Sequence, residues 1–160
     1  MDIKEIAFAV PEGFQLIIGQ SHFIKTVEDI YETLAAAVPG GKFGIAFCEA
    51  SGPALVRFDG TDLQSSELAK ELALKLGAGH AFVVVLNGMY PVNVLGRLRA
   101  VDEVVGIYCA TSNPVSVLVA DTKDGRAILG VADGARTKGV ESDADKTARH
   151  KFLRDIGYKK

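Results

Sequence analysis

The chain has 160 residues and a mass of 17.0 kDa, the size of one ordinary domain, and 48% hydrophobic residues with a mean hydropathy of +0.20 suffice to build a core. Eighteen Lys and Arg against 20 Asp and Glu give a formal charge of -2, which supplies no electrostatic reason to expect a nucleic-acid backbone or an anionic membrane as partner. The opening MDIKEIAFAVPEG has no basic segment leading into a long apolar stretch, and no run approaches the roughly 20 apolar residues that span a bilayer, so a cytoplasmic protein with a small ligand is expected.

Strand-like runs occur at 3–10, 14–19, 42–50, 54–59, 80–87, 104–111, 115–122 and 126–132. The middle ones are nearly continuous in apolar residues, which implies a sheet covered on both faces. The first helix, about 27–38, sets Val27, Ile30, Tyr31, Leu34 and Val38 on one face, with Thr26 and Asp29 spaced as a capping box and Pro39-Gly40-Gly41 as its stop. A second, about 62–76, stacks Leu68, Ala69, Leu72, Ala73 and Leu76 and ends before Gly77. A short third helix starts at Pro91, and a fourth, about 143–156, begins after Ser142 and aligns Ala144, Ala148, Phe152 and Ile156.

The pairs 3–10/14–19, 42–50/54–59 and 115–122/126–132 are joined by short turns, as antiparallel hairpins are, and Asp124-Gly125 is a turn signal of that kind. The reading is therefore an α/β fold of the α+β type: one domain over 1–160, with a mixed, largely antiparallel sheet covered by helices. Cys48 and Cys109 each fall inside a strand-like run and read as free, buried thiols rather than a disulfide.

The standard phosphate-binding and metalloprotease motifs are absent. PGGKFG at 39–44 imitates a phosphate loop but follows a helix and enters a strand, so it reads as a helix stop. The turn GQSHFIKT at 19–26 is a stronger candidate. There Gln20, Ser21, His22 and Lys25 crowd the start of a helix, where Ser21 can donate to an oxyanion and Lys25 can neutralise it beside unpaired backbone N–H groups. The plainer alternative makes Ser21 and Thr26 caps and His22 an exposed loop residue.

His80 opens the most apolar strand, where it either serves a site at the sheet end or bonds a loop carbonyl; His150 lies on the solvated face of the last helix. Glu49, at the end of its strand, either orients an imidazole or pairs with Arg57 across the hairpin. Asn113 before Pro114, and Asn93 beside Tyr90 and Pro91, read first as turn or cap residues and second as ligand contacts.

The segments IIGQSHFIKTVEDIYE, KFGIAFCEASG, GAGHAFVVVLNGMYPVNVL, IYCATSNPVSVLVADT, GRAILGVADG and KFLRDIGYKK, which together span nearly the whole chain, resemble the adenosine-specific kinase family. The resemblance implies binding of adenosine or AMP, phosphoryl transfer that involves a histidine, and a homo-oligomer, a trimer or a multiple of it; the mechanism built on it has ATP, with Mg²⁺, phosphorylate adenosine either through a phosphohistidine or directly. Its blocks fall on Gly19 to Thr26, on Gly79-His80 and on Ala110, Thr111, Asn113 and Pro114; together with the roles read from the residues themselves, the catalytic candidates are His22, His80 and Glu49 and the substrate contacts Gln20, Ser21, Lys25, Tyr90, Asn93 and Asn113. Ser112 and Gly96 depart from the family's pattern, where alanine and asparagine are expected. A nucleoside-binding sensor without turnover, and an oligomeric protein whose polar turns serve subunit contacts, remain the other readings of the same residues.

Overall fold

Apolar runs become strands and amphipathic runs become helices in the computed structural model, which describes residues 2–160. In chain order these are β1 (Asp2–Phe8), β2 (Phe14–Ser21), α1 (Thr26–Ala37), β3 (Lys42–Cys48), β4 (Val56–Gly60), α2 (Leu63–Leu76), β5 (Ala81–Asn87), a 3-10 turn (Pro91–Asn93), α3 (Leu95–Leu98), β6 (Val104–Thr111), β7 (Val115–Asp121), β8 (Arg126–Asp133) and α4 (Asp143–Asp155). The α/β class holds. The strands divide between a five-stranded sheet in the order β4-β3-β5-β2-β6 and a three-stranded sheet in the order β1-β7-β8, and the pairing is antiparallel throughout.

The β3/β4 and β7/β8 hairpins form as their short turns predict. The expected hairpin of 3–10 with 14–19 does not form. β1 pairs with β7, from Asp2 opposite Asp121 to Phe8 opposite Val115, while β2 lies between β5 and β6. Burial explains the difference. β2 is buried along almost its whole length and needs neighbours and cover on every side; β1 buries only Phe8 and suits an edge, so Pro11-Glu12-Gly13 carries the chain from one sheet to the other.

The five-stranded sheet is covered on both faces. On one, Leu16, Ile18, Val83 and Val85 pack against Ala69, Leu72 and Leu76 of α2 and against Phe8, Val117 and Val119 of the smaller sheet. On the other, Ile17, Val84 and Leu86 meet Ile30 and Leu34 of α1 and Leu98 of α3. The first turn of α2 rests directly on β3, because Gly44 stands opposite Gly60 in the strand pair and neither has a side chain to hold the helix off. Asp62 caps that helix, accepting from the Ser65 N–H at 3.0 Å and its hydroxyl at 2.6 Å, and these bonds hold the Asp62 carboxyl below its ordinary range.

At the other end of α2, Gly77 takes a left-handed φ of 54°, and Arg126 of β8 donates to the carbonyls of Leu76 (3.0 Å) and Lys75 (3.3 Å). The same guanidinium bonds Asp121 at 2.6 Å, and Lys4 of β1 adds a second contact to that carboxylate at 2.5 Å. Arg126 first, then Lys4, lower the Asp121 carboxyl to about 2. One arginine thus ties the smaller sheet to the helix.

Three local expectations are corrected. The capping box of Thr26 and Asp29 is absent: Lys25 occupies the cap position without a side-chain cap bond, because the Thr26 hydroxyl turns inward and Asp29 turns to Lys25. The helix expected from Pro91 breaks into the 3-10 turn and α3, with Val94 between them outside helical geometry. In α4 the Ser142–Asp145 capping box forms as predicted, yet the helix has no buried residue. Its Phe152 and Ile156 line the side of a cavity instead of entering the core. No helix among the described residues is long and apolar enough to cross a membrane.

Candidate functional site

The singled-out residues fall into two groups at opposite ends of the five-stranded sheet. Antiparallel register brings the end of β2 (Gln20 opposite Ala81), the end of β3 (Phe47 opposite Phe82) and the start of β5 to one edge, which gathers Ser21, His22, Glu49 and His80. Tyr90, Asn93 and Asn113 lie at the other edge, beyond the ends of β5 and β6. The six residue steps of β2 from Gln15 to Ser21 set the two edges about 20 Å apart.

At the histidine edge the turn is largely occupied by its own groups. Ser21 is buried with its hydroxyl 2.5 Å from that of Thr26; the Thr26 hydroxyl donates to the Phe23 carbonyl, so Ser21 supplies the proton between the two. Ser21 is therefore not free to donate to an oxyanion. Lys25 is bound as well, 2.7 Å from Asp29 and 3.5 Å from Glu103. The Asp29 contact raises the lysine and, in return, lowers the Asp29 carboxyl.

Glu103 is 2% exposed, and neither of its carboxylate oxygens has a hydrogen-bond partner among the described residues. Asp29 and Glu103 thus share a single ammonium, that of Lys25. No group of three or more His, Cys, Asp or Glu that could hold a metal ion occurs among the described residues.

His22 is exposed beside Phe23, with ring centroids 6.4 Å apart. Gln20 accepts from the Tyr108 hydroxyl at 3.1 Å. Glu49 takes the second of its two readings, accepting from Arg57 Nε at 3.2 Å and Nη2 at 2.8 Å.

His80 has a left-handed φ of 63°, costly for a residue with a side chain. Two main-chain bonds hold it there: its N–H donates to the Cys48 carbonyl (2.7 Å), and its carbonyl accepts from the Ser21 N–H (3.0 Å), while the ring stacks on Phe47 at 5.8 Å. The His80→Gly variant is therefore expected to be more stable than His80→Ala by about 1 kcal/mol, since both lose the ring and only alanine keeps the strain. Thermal unfolding of the two variants checks it.

At the opposite edge lies a cavity of 760 Å³, walled by Tyr90, Pro91, Val92 and Leu95, by Ala110, Thr111 and Ser112 at the end of β6, by Phe152 and Ile156 of α4, and by Tyr158, with Gln15 of β2 also on its wall. Tyr90 and Tyr158 meet edge-on at 82° and 6.4 Å. No lining residue is charged. Such a wall suits a planar, uncharged ring of nucleoside size.

The two asparagines at this edge make local turn contacts. Asn93 Oδ1 accepts from the Tyr90 N–H at 2.9 Å, while the Asn113 main-chain N–H donates to the Thr111 hydroxyl and its side-chain Nδ2 to the Asp133 carboxylate. Sequence reasoning missed Gln15, Phe152 and Tyr158. The signal for Gln15 was an amide inside the apolar run FQLIIG and that for Phe152 its place in the stripe of Ala144, Ala148, Phe152 and Ile156; Tyr158 lies beyond that stripe, after Gly157.

A second depression, of 540 Å³, carries Asp29, Glu32 and Asp102 with Arg97 as its one basic residue, an acidic excess unsuited to phosphate. Burial pushes the thiols of Cys48 and Cys109 up to about 11; both are free, as expected, and neither is an activated nucleophile.

A family model described as adenosine specific kinase matches residues 6–159. The crystal structure of PH1918 protein from Pyrococcus horikoshii OT3 is similar at 44% sequence identity and a TM-score of 0.95, over 99% of this chain and 98% of that one. No curated protein matches the chain.

Proposed function

Because the chain belongs to the adenosine-specific kinase family, we propose that it is a phosphotransferase that holds adenosine in the aromatic cavity and transfers the γ-phosphoryl group of ATP to the nucleoside's 5′-hydroxyl, forming AMP and releasing ADP and the hydroxyl proton. The observation that carries this reading is the wall itself: three aromatic rings and no charged residue around 760 Å³ suit a neutral nucleoside. Lys159 and Lys160 directly follow the cavity residue Tyr158 in the chain, and their charge suits the phosphate of an AMP product. Magnesium arrives on the phosphates of ATP.

A phosphohistidine at His22 is a second reading, supported by the exposure of that imidazole. At about 20 Å along β2 from Gln15, the ring is out of reach of a nucleoside in the cavity of its own chain. The route thus requires a neighbouring subunit. Homo-oligomerisation, as a trimer or a multiple of it, is supported by α4, which has no buried residue of its own. In this reading Gln20, Ser21, Lys25 and His80 shape the turn that carries His22, and Glu49 braces β3 against β4 through Arg57.

The test combines calorimetric titration of adenosine, an assay for AMP, and intact-mass measurement after incubation with ATP, on wild type and His22→Ala. Adenosine binding is expected to be equal in the two proteins, with AMP formed by wild type. A mass gain of one phosphoryl group that vanishes in His22→Ala selects the histidine route. Binding without AMP selects the sensor, and the absence of adenosine binding in wild type overturns the proposal.

A further inference from the structure

The cavity holds one polar group that the fold leaves unused. Gln15 is 7% exposed, paired through its backbone with Leu86 of β5, and its side chain lies on the cavity wall. Its carboxamide carries an acceptor oxygen and two N–H donors, and makes no side-chain hydrogen bond among the described residues. The amide atoms are not sealed off without a partner as the Glu103 oxygens are; they stand open to the cavity, where a molecule that enters can bond them.

The cavity's own polar groups do not supply a partner. The Thr111 hydroxyl donates to Asp133 at 2.8 Å and accepts from the Asn113 N–H at 2.9 Å, while Ser112 and Tyr90 are exposed.

We propose that Gln15 reads the base: Oε1 accepts from the exocyclic N6–H of adenine, and Nε2 donates to the adjacent ring nitrogen. This rests on the adenosine reading of the cavity. An amide matches adenine because donor and acceptor stand side by side on both in complementary order. Guanine and hypoxanthine present two acceptors, O6 and N7, along the corresponding edge and leave the amide oxygen facing another oxygen. The aromatic walls contribute stacking, which every base can use, so the choice among bases falls to Gln15.

The experiment is calorimetric titration of wild type, Gln15→Leu and Gln15→Met with adenosine and with purine riboside, which lacks the 6-amino group; wild type is also titrated with N6,N6-dimethyladenosine, which lacks the N6–H donors. Wild type is expected to bind adenosine roughly tenfold more tightly than either analogue. In both variants the ratio of adenosine to purine riboside is expected to fall to near one. A ratio that persists in the variants, or wild type that does not distinguish the nucleosides, overturns the role of Gln15 and leaves the adenosine reading intact. Wild type that binds none of them overturns both. The wild-type comparison decides the matter even where a substitution prevents folding.

Discussion

Replacing Gly44 with alanine is expected to lower the melting temperature by roughly 10 °C, since overpacking of this kind costs about 3 kcal/mol and each kcal/mol moves a domain of this size by about 2–4 °C. The cause is local and geometric. A Cβ on residue 44 would fall within the main chain of Ser65 and Ser66, in the first turn of α2, and main chain cannot swing aside as a flexible side chain can. Relief requires the helix to lift from β3, which would open the contacts of Ala69, Leu72 and Leu76 with the sheet. Gly125→Ala, where a Cβ meets no atom within 4 Å, is the matched control and should lose far less. Differential scanning calorimetry on both variants reads the contrast; equal losses would contradict this account of how α2 seats on the sheet.

Loss of one aromatic wall should have the largest effect on ligand binding. For Tyr90→Ala the expected loss of adenosine affinity is about 5- to 150-fold, the equivalent of about 1–3 kcal/mol for one base stacked on one ring. The melting temperature should hardly move, because Tyr90 is 55% exposed and its structural duty, the N–H bond to Asn93, belongs to the backbone and survives the substitution. Phe152→Ala, on the opposing wall, is expected to act in the same direction. Calorimetric titration beside a thermal melt separates lost stacking from lost folding. Unchanged adenosine affinity in both variants would place the nucleoside outside this cavity.

Periodicity and punctuation made the elements legible. Gly77 ended α2, Ser142 and Asp145 opened α4, and Asp124-Gly125 turned β7 into β8. Pairing between distant strands was less accessible, because a short link containing Pro11 and Gly13 reads the same whether the chain folds back on itself or crosses to another sheet. The discriminating fact was the burial of β2 against the exposure of β1, which FQLIIG beside IKEIAFAV only hints at.

The same limit governed the candidate site. His22 and Tyr90 each looked like ligand residues, but nothing in their order along the chain reveals that β2 holds them apart. Gln15 required knowing that its strand is central, and Phe152 and Tyr158 required knowing that the last helix borders a cavity instead of the core. The amphipathic stripe of α4 was real; the surface it faces was not contained in it.

The pairing of β1 with β7 also bears on how the protein is made. β1 leaves the ribosome with its partner more than 100 positions downstream, with Ile6 opposite Val117 and Phe8 opposite Val115, so it waits unpaired while the intervening chain is translated. Until then its backbone is an open edge that another nascent chain can capture. The alternating charges of Asp2, Lys4 and Glu5, two of which later bond to β7 side chains, make that edge a poor template for self-association during the delay.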